Sequence, residues 1–203
     1  MPLYRALYVT VCVAVGVAAK PVQAQTPTSP QLLKGVVPPG SVAFHHHKKL
    51  QASYDSVADS THLSVRTHKG KYFLMVQRPR LTWSVVYAGQ RPDSVTPSKV
   101  WLEFRTQNPQ VALNSQLVML YGDSGRIEVP SAGGYSDPGV VTWSHFMRFP
   151  IPTADFAAAL RSEKMQVTVG GITERLSTEH LEALRDLLSR VGAYDAALAG
   201  AGS

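Results

Sequence analysis

The stretch KVWLEFRT, residues 99–106, decides the fold class of this protein. Val100, Leu102 and Phe104 are apolar. The positions that alternate with them include Trp101, Glu103 and Arg105. Successive side chains of a strand point to opposite faces, so this alternation predicts a strand with one buried face and one solvated face. Strands of this kind are typical of antiparallel sheets, which cover a core on one side only.

Other segments of the chain carry strand patterns separated by turn residues. They are residues 62–67, 72–78, 81–87, 116–121, 126–129, 141–149 and 164–169. Residues 72–78 are apolar on both faces, which predicts a central strand covered on two sides. Glycine-containing turns at 122–125 and 170–171 predict two hairpins. The density of short strands predicts a mainly β, α+β fold with an antiparallel sandwich-like or barrel-like body.

Two helices are predicted after this β-rich region. The longer one begins at Ser177, whose hydroxyl suits an N-cap, and ends near Gly192, which suits a left-handed C-terminal position. Leucines 181, 184 and 188 with Val191 form one apolar stripe, so we expect this helix to pack on the β-body. A shorter helix is predicted over residues 154–162.

The N-terminus predicts export from the cytoplasm. Arg5 precedes an apolar run over residues 6–19, and small residues end at Ala24, as in a cleaved secretory signal peptide. The run is shorter than the roughly 20 residues that span a bilayer, so no permanent membrane span is expected after cleavage. The sole cysteine, Cys12, lies in the predicted signal peptide and is expected to be removed with it. The mature chain is predicted to be periplasmic or extracellular, and bacterial.

The remaining chain divides by composition into three parts. Residues 25–50 are rich in proline and predict a linker or basic arm, residues 51–192 a single β-rich domain, and residues 193–203 a flexible tail. Residues 25–49 hold three lysines and no acid, whereas residues 50–203 hold 15 basic and 14 acidic side chains. Because the excess positive charge lies in the arm, no nucleic-acid partner is expected.

The motif GDSG at residues 122–125 is similar to the nucleophile loop of chymotrypsin-like serine proteases. A second glycine is missing after Gly125, and neither His62 nor His68 stands in the sequence context of a catalytic histidine. Glycine with Asp or Ser is also what a two-strand turn requires. The motif therefore predicts a hairpin turn rather than a nucleophile.

Three residues are candidates for ligand contact. Trp101 alternates with charged residues, so its ring is expected at the surface, where it could stack on a ligand. Glu103 lies beside it on the same face. His145 falls on the apolar face of its strand, which indicates either a histidine at the core edge or a titrating group.

The arm carries the run HHHKK at residues 45–49. In an extended chain His45 and His47 point the same way and could share one metal ion through their imidazoles. A zinc site takes three or four protein ligands, and Lys48 and Lys49 repel a cation. The two histidines are candidate metal ligands, and a solvated basic arm is the alternative interpretation.

These patterns predict an exported, non-catalytic binding or envelope-accessory domain. No cofactor is expected, and the partner is expected to be another envelope protein or a small ligand. Two alternatives remain open. One is an exported hydrolase whose site the sequence does not reveal, and the other is weak metal binding by the histidine arm.

Overall fold

The computed structural model describes residues 31–32, 49–69, 72–73, 76–77, 79–90, 96–108, 110–111, 113, 115–138 and 143–193. The predicted signal peptide, His45, His47 and most of the predicted tail lie outside these residues. Within them the order of elements is β1 Gln31–Leu32, β2 Leu50–Asp55, β3 Ser60–Lys69, β4 Tyr72–Phe73, β5 Val76–Gln77, β6 Arg80–Ala88, β7 Lys99–Thr106, β8 Leu117–Tyr121, β9 Gly125–Val129, β10 Gly134–Pro138, β11 Trp143–Pro152, α1 Thr153–Ala159, β12 Met165–Val169, β13 Ile172–Leu176 and α2 Thr178–Ser189.

The strands form two main sheets in which all neighbours are antiparallel. The large sheet has the order β1-β2-β3-β6-β7-β11-β10, and the small sheet has the order β13-β12-β8-β9. The predicted fold class, a mainly antiparallel α+β body of sandwich type, is confirmed. The strand predicted from KVWLEFRT runs over Lys99–Thr106, and both predicted hairpins are present as β8–β9 and β12–β13.

One predicted strand is wrong. Residues 72–78 were expected to form a single central strand, but Tyr72–Phe73 pairs with Val76–Gln77 as a small separate hairpin. An unbroken apolar run carries no alternation, so nothing in it distinguishes one covered strand from two short strands that fold back on each other. Strands β2 and β10 were not predicted, because their residues are mostly polar or part-exposed.

The core lies on the inner face of the large sheet, where β3, β6, β7 and β11 contribute alternate buried side chains. Trp83 of β6 stacks on Phe156 of α1, with ring centres 5.0 Å apart and planes inclined by 18°. The indole N–H of Trp83 donates to the Thr67 hydroxyl at 3.1 Å. The largest buried aromatic residue therefore joins the sheet to the first helix and has its polar atom satisfied.

Helix α2 closes the core from the C-terminal side. Its cap is as predicted, because the Ser177 hydroxyl accepts from the His180 backbone N–H at 3.3 Å. The predicted stripe is buried, with Leu181, Leu184, Leu188 and Val191 each at most 5% exposed. Gly192 has the expected left-handed conformation, with φ of 66°. No helix in the described part of the chain is long and apolar enough to cross a membrane.

Candidate functional site

Trp101 and Glu103 lie on the face of the large sheet that points away from the core. We call this surface the outer face. The alternate residues of the same strand, Val100, Leu102 and Phe104, are at most 1% exposed. The burial pattern of β7 alternates accordingly, with both candidate side chains half-buried. Trp101 pairs with Ser84 on one side and Pro150 on the other, at the middle of the sheet.

Two arginines of the outer face are held against aromatic rings. The guanidinium carbon of Arg148, on β11, lies 4.7 Å from the centre of the Trp101 ring. That of Arg105, on β7, lies 4.7 Å from the centre of the Phe146 ring. Both distances are within the range in which a ring face attracts a cation. Arg105 also donates to the Ser144 hydroxyl at 3.2 Å, so its position is fixed from two directions.

An aromatic stack extends this arrangement to the edge of the sheet. The rings of Phe146 and Tyr135 are 4.6 Å apart and nearly parallel, with an interplanar angle of 6°. The register places Arg105, Phe146 and Tyr135 side by side on β7, β11 and β10. Tyr135 is 59% exposed, so it presents one free ring face to solvent at the end of the row.

The register also lines up four arginines on the outer face, one from each of β3, β6, β7 and β11. Arg80 is directly opposite Arg105. Arg66 pairs with the residue two positions after Arg80, and Arg148 pairs with the residue two positions before Arg105. Directly opposite side chains start about 5 Å apart, and diagonal ones about 7 to 8 Å apart. We call this continuous row the arginine band: Arg66, Arg80, Arg105 and Arg148.

His145 lies on the other face of the sheet from Trp101 and Glu103. It pairs with Thr106, which is 3% exposed on the core side of β7. Its Nδ1 is 2.9 Å from the hydroxyl oxygen of Ser136 on β10, and its Nε2 is buried without a hydrogen-bond partner among the described residues. The structure therefore brings two of the three predicted ligand contacts together and separates the third.

The Ser136–His145 pair joins a hydroxyl to an imidazole, which is the first requirement of an activated serine nucleophile. Such a site also needs a group that orients the second ring nitrogen. In the described residues Nε2 of His145 has no such partner. Ser124 of the GDSG motif lies on the other sheet, in the exposed turn between β8 and β9, as predicted for a hairpin.

A groove of about 1000 Å³ lies elsewhere, between the small sheet and the start of α2. None of the candidate residues lines it. Its Arg185 is already bound to the carbonyl oxygens of Leu160 and Ser162, at 2.8 and 3.0 Å, and to the Glu182 carboxylate. The first turn of α2 is capped by its own Ser177. Arg185 and the first turn of α2 are therefore engaged by the protein's own groups, and because the groove holds none of the candidate residues, the outer face is the stronger candidate.

Among the described residues no group of three or more His, Cys, Asp and Glu side chains is placed to hold a metal ion. His45 and His47 are outside those residues, so metal binding by the arm stays a prediction.

The arginine band was not predicted from the sequence, although a signal for it is present. Arg66, Arg80 and Arg105 each occupy the polar phase of an alternating strand, and Arg148 does so in β11. Along the sequence these arginines are four isolated charges in a nearly neutral domain. They become one surface only when the strand order and register are known.

Compared with known proteins, the chain matches no protein-family model, no curated protein and no solved structure.

Proposed function

We propose that this protein is an exported, non-catalytic binding domain that contacts its ligand or envelope partner through the outer face of the large sheet. The observation that carries this proposal is the pair of arginine–aromatic contacts, Arg148 on Trp101 and Arg105 on Phe146, placed side by side on neighbouring strands. Tyrosine, tryptophan and arginine are the side chains that contribute most to binding energy at protein interfaces.

The surface is also built on a rigid support. Its side chains come from β7, β10 and β11, which pair over most of their length, and the inner face of β7 and β11 is packed into the core. A surface whose side chains are already ordered loses less conformational entropy when a ligand binds. This favours recognition by a preformed face rather than by a loop that must fold around the ligand.

Two features support the remaining parts of the proposal. The N-terminal 24 residues have the pattern of a signal peptide, and the chain that follows has no cysteine, which supports export. The three polar groups that the sequence singles out for catalysis are dispersed, because Glu103 is on the outer face, His145 on the inner face and Ser124 in a turn of the other sheet. This dispersal supports binding rather than catalysis.

A hydrolase is the second candidate, and the 2.9 Å contact between Ser136 and His145 favours it. If this pair were catalytic, Ser136→Ala and His145→Ala would each abolish turnover of chromogenic ester substrates. We expect no turnover from the unaltered protein. Turnover that disappears in both variants would replace the binding proposal with a hydrolase.

The binding proposal is tested by retention of residues 25–203 on immobilised peptidoglycan, outer-membrane vesicles and a glycan array. We expect retention on at least one of these probes, and a loss of about tenfold or more in Trp101→Ala with Tyr135→Ala. The matched control is Leu120→Ala, which alters an exposed apolar side chain on the outside of the small sheet. Equal loss in the control, or no retention of the unaltered protein on any probe, would overturn the proposal.

A further inference from the structure

The outer face concentrates positive charge that is invisible in the composition. Residues 50–203 carry nearly equal numbers of basic and acidic side chains. The described outer-face positions of β3, β6, β7 and β11 nevertheless hold one acidic residue, Glu103, against the four arginines of the band and Lys99. The next carboxylates are at the margins, Asp137 on β10 and Asp55 on β2. The face is therefore strongly positive in a domain that is close to neutral.

The arginine band crosses four neighbouring strands. Adjacent strands of a sheet lie about 4.8 Å apart, so three such steps span roughly 14 Å. Each arginine lies within about 5 to 8 Å of the next, measured between the first side-chain carbons. A ligand that contacts the whole band must carry several anionic groups in a row, and a single small anion would contact only one or two of these arginines.

Two members of the band are held ready for such a ligand. A ring face contacts the guanidinium through its flat side, which leaves the N–H groups at the edge free to bind. The guanidinium of Arg148 lies over the Trp101 ring and that of Arg105 over the Phe146 ring, with one N–H of Arg105 donated to Ser144. The planar fork of an arginine matches the two oxygens of a carboxylate and the oxygens of a sulfate. The ring contacts therefore hold two guanidinium groups in place for an anionic ligand.

Taken with the proposed function, on which this inference rests, the geometry points to an anionic polysaccharide as the ligand of the arginine band. Carboxylate or sulfate groups on successive sugars would bind the guanidinium groups. The exposed ring of Tyr135, at the end of the aromatic row, would stack on a sugar ring.

Two other polyanions fit the surface less well. Single-stranded nucleic acid is bound by stacking bases on exposed aromatic rings. Here Arg148 covers a face of Trp101, and Phe146 contacts both Arg105 and Tyr135. A membrane surface requires apolar side chains that enter it. Tyr135 is the one exposed large apolar side chain that the structure describes on this face.

The test is calorimetric titration of residues 25–203 with heparin fragments and with polygalacturonate fragments, using dextran as the neutral comparison. We expect binding of at least one charged glycan and none of dextran. The double variant Arg105→Gln, Arg148→Gln should weaken binding by about tenfold or more, because two charge-assisted contacts are lost. The control, Arg126→Gln, removes an exposed arginine of the small sheet and should leave affinity within about twofold.

Two further variants keep the test independent of folding. Arg66→Gln changes an exposed residue of the band and should weaken binding severalfold. Glu103→Gln removes the negative charge next to Arg148 and should tighten binding by about two- to fivefold, a gain that a misfolded variant would not show. Unchanged affinity in both variants would overturn the proposal, as would equal binding of dextran.

The comparison probes are single-stranded DNA and vesicles of anionic phospholipid. Tighter binding of either one than of both charged glycans, with the same arginine dependence, would overturn the polysaccharide assignment. The charged glycans could show no binding while the double variant Trp101→Ala, Tyr135→Ala still loses retention on envelope probes. That result would overturn the polysaccharide assignment and leave the outer face as the binding surface. Equal loss in Leu120→Ala would instead reject the proposed function itself.

Discussion

Arg148 lies over the ring of Trp101 across the boundary between β11 and β7, with 4.7 Å from its guanidinium carbon to the ring centre. The register places Trp101 opposite Pro150, so the arginine reaches diagonally along the sheet to make this contact. The pair joins two neighbouring strands at the outer face, and its energy is accessible to measurement.

A double-mutant cycle should detect this contact. We expect Trp101→Ala and Arg148→Ala to show a coupling free energy of about 0.5 to 1 kcal/mol, because the pair is partly exposed. Urea unfolding of the two single variants and the double variant measures it. The same cycle with Arg66 in place of Arg148 is the control and should give additive effects. Additivity in both cycles would show that the Trp101 contact contributes no stability in solution.

The buried ion pair of α2 should be far more sensitive than a surface pair. The Arg190 Nε is 3.0 Å from an Asp186 carboxylate oxygen, and the two side chains are 1% and 0% exposed. Asp186→Ala leaves a buried cation without this carboxylate, so we expect a loss of about 3 to 5 kcal/mol in the free energy of unfolding. Chemical denaturation checks this value.

The matched control is the exposed pair Arg126–Glu128 of the small sheet, whose side chains are 57% and 40% exposed. Glu128→Ala should cost less than about 1 kcal/mol because solvent screens this pair. Similar losses in Asp186→Ala and Glu128→Ala would contradict the role of burial.

The two glycines of the β12–β13 turn should differ in their tolerance of alanine. Both have left-handed backbone angles, with φ of 55° at Gly170 and 82° at Gly171. A Cβ on Gly171 meets nothing within 4 Å, so Gly171→Ala should cost about 1 to 2 kcal/mol from backbone strain alone. A Cβ on Gly170 would lie 2.7 Å from Val111 Cγ1 and 2.9 Å from Ser115 Oγ.

Gly170→Ala should therefore lose about 1 to 3 kcal/mol more than Gly171→Ala, because it adds overpacking to the same strain. Thermal unfolding of the two variants measures the difference. Equal losses would show that the Val111 loop moves aside without cost.

The hydroxyl of Tyr87 should make stability depend on alkaline pH. It is buried and has no hydrogen-bond partner among the described residues. Burial raises the pKa of Tyr87 above its ordinary value of 10.0, and the nearby Thr61 hydroxyl lowers that pKa to a smaller extent. Because the pKa is higher in the folded protein, the unfolded chain releases this proton first, so the free energy of unfolding is independent of this group's ionisation below pH 10 and falls as pH rises from there through the folded-state pKa.

Tyr87→Phe should remove this dependence and, at neutral pH, raise the free energy of unfolding by about 1 kcal/mol, because an unpaired buried hydroxyl is deleted. Urea unfolding between pH 7 and about pH 11 measures both effects. A parallel decline of variant and unaltered protein above pH 10 would show that Tyr87 does not titrate with unfolding.

Much of the fold follows from local sequence signals. Alternation in residues 99–106 identified β7 with its correct bounds, and Ser177 with its apolar stripe identified α2 with its cap. These signals are local because backbone geometry imposes a period of two or 3.6 on the side chains of a buried face. Where the periodicity failed, as in residues 72–78, the prediction was wrong.

The candidate site depended on pairing between distant residues. The sequence indicated that Trp101 and Glu103 share a solvated face, and the structure places them there. The contact of Trp101 with Arg148 joins residues 47 positions apart. The sequence indicates only that each of these side chains points to the solvated face of its own strand.

The sequence by itself determined the class of fold, the phase of most strands, the cap of α2 and the nearly neutral charge of the domain. The tertiary structure alone decided which strands are neighbours and in what register. That choice turned four separate arginines into one band and brought Arg148 against the ring of Trp101. The physical reason is that strand alternation fixes the face to which a side chain points, whereas its neighbours on that face depend on hydrogen bonds between segments far apart in the chain.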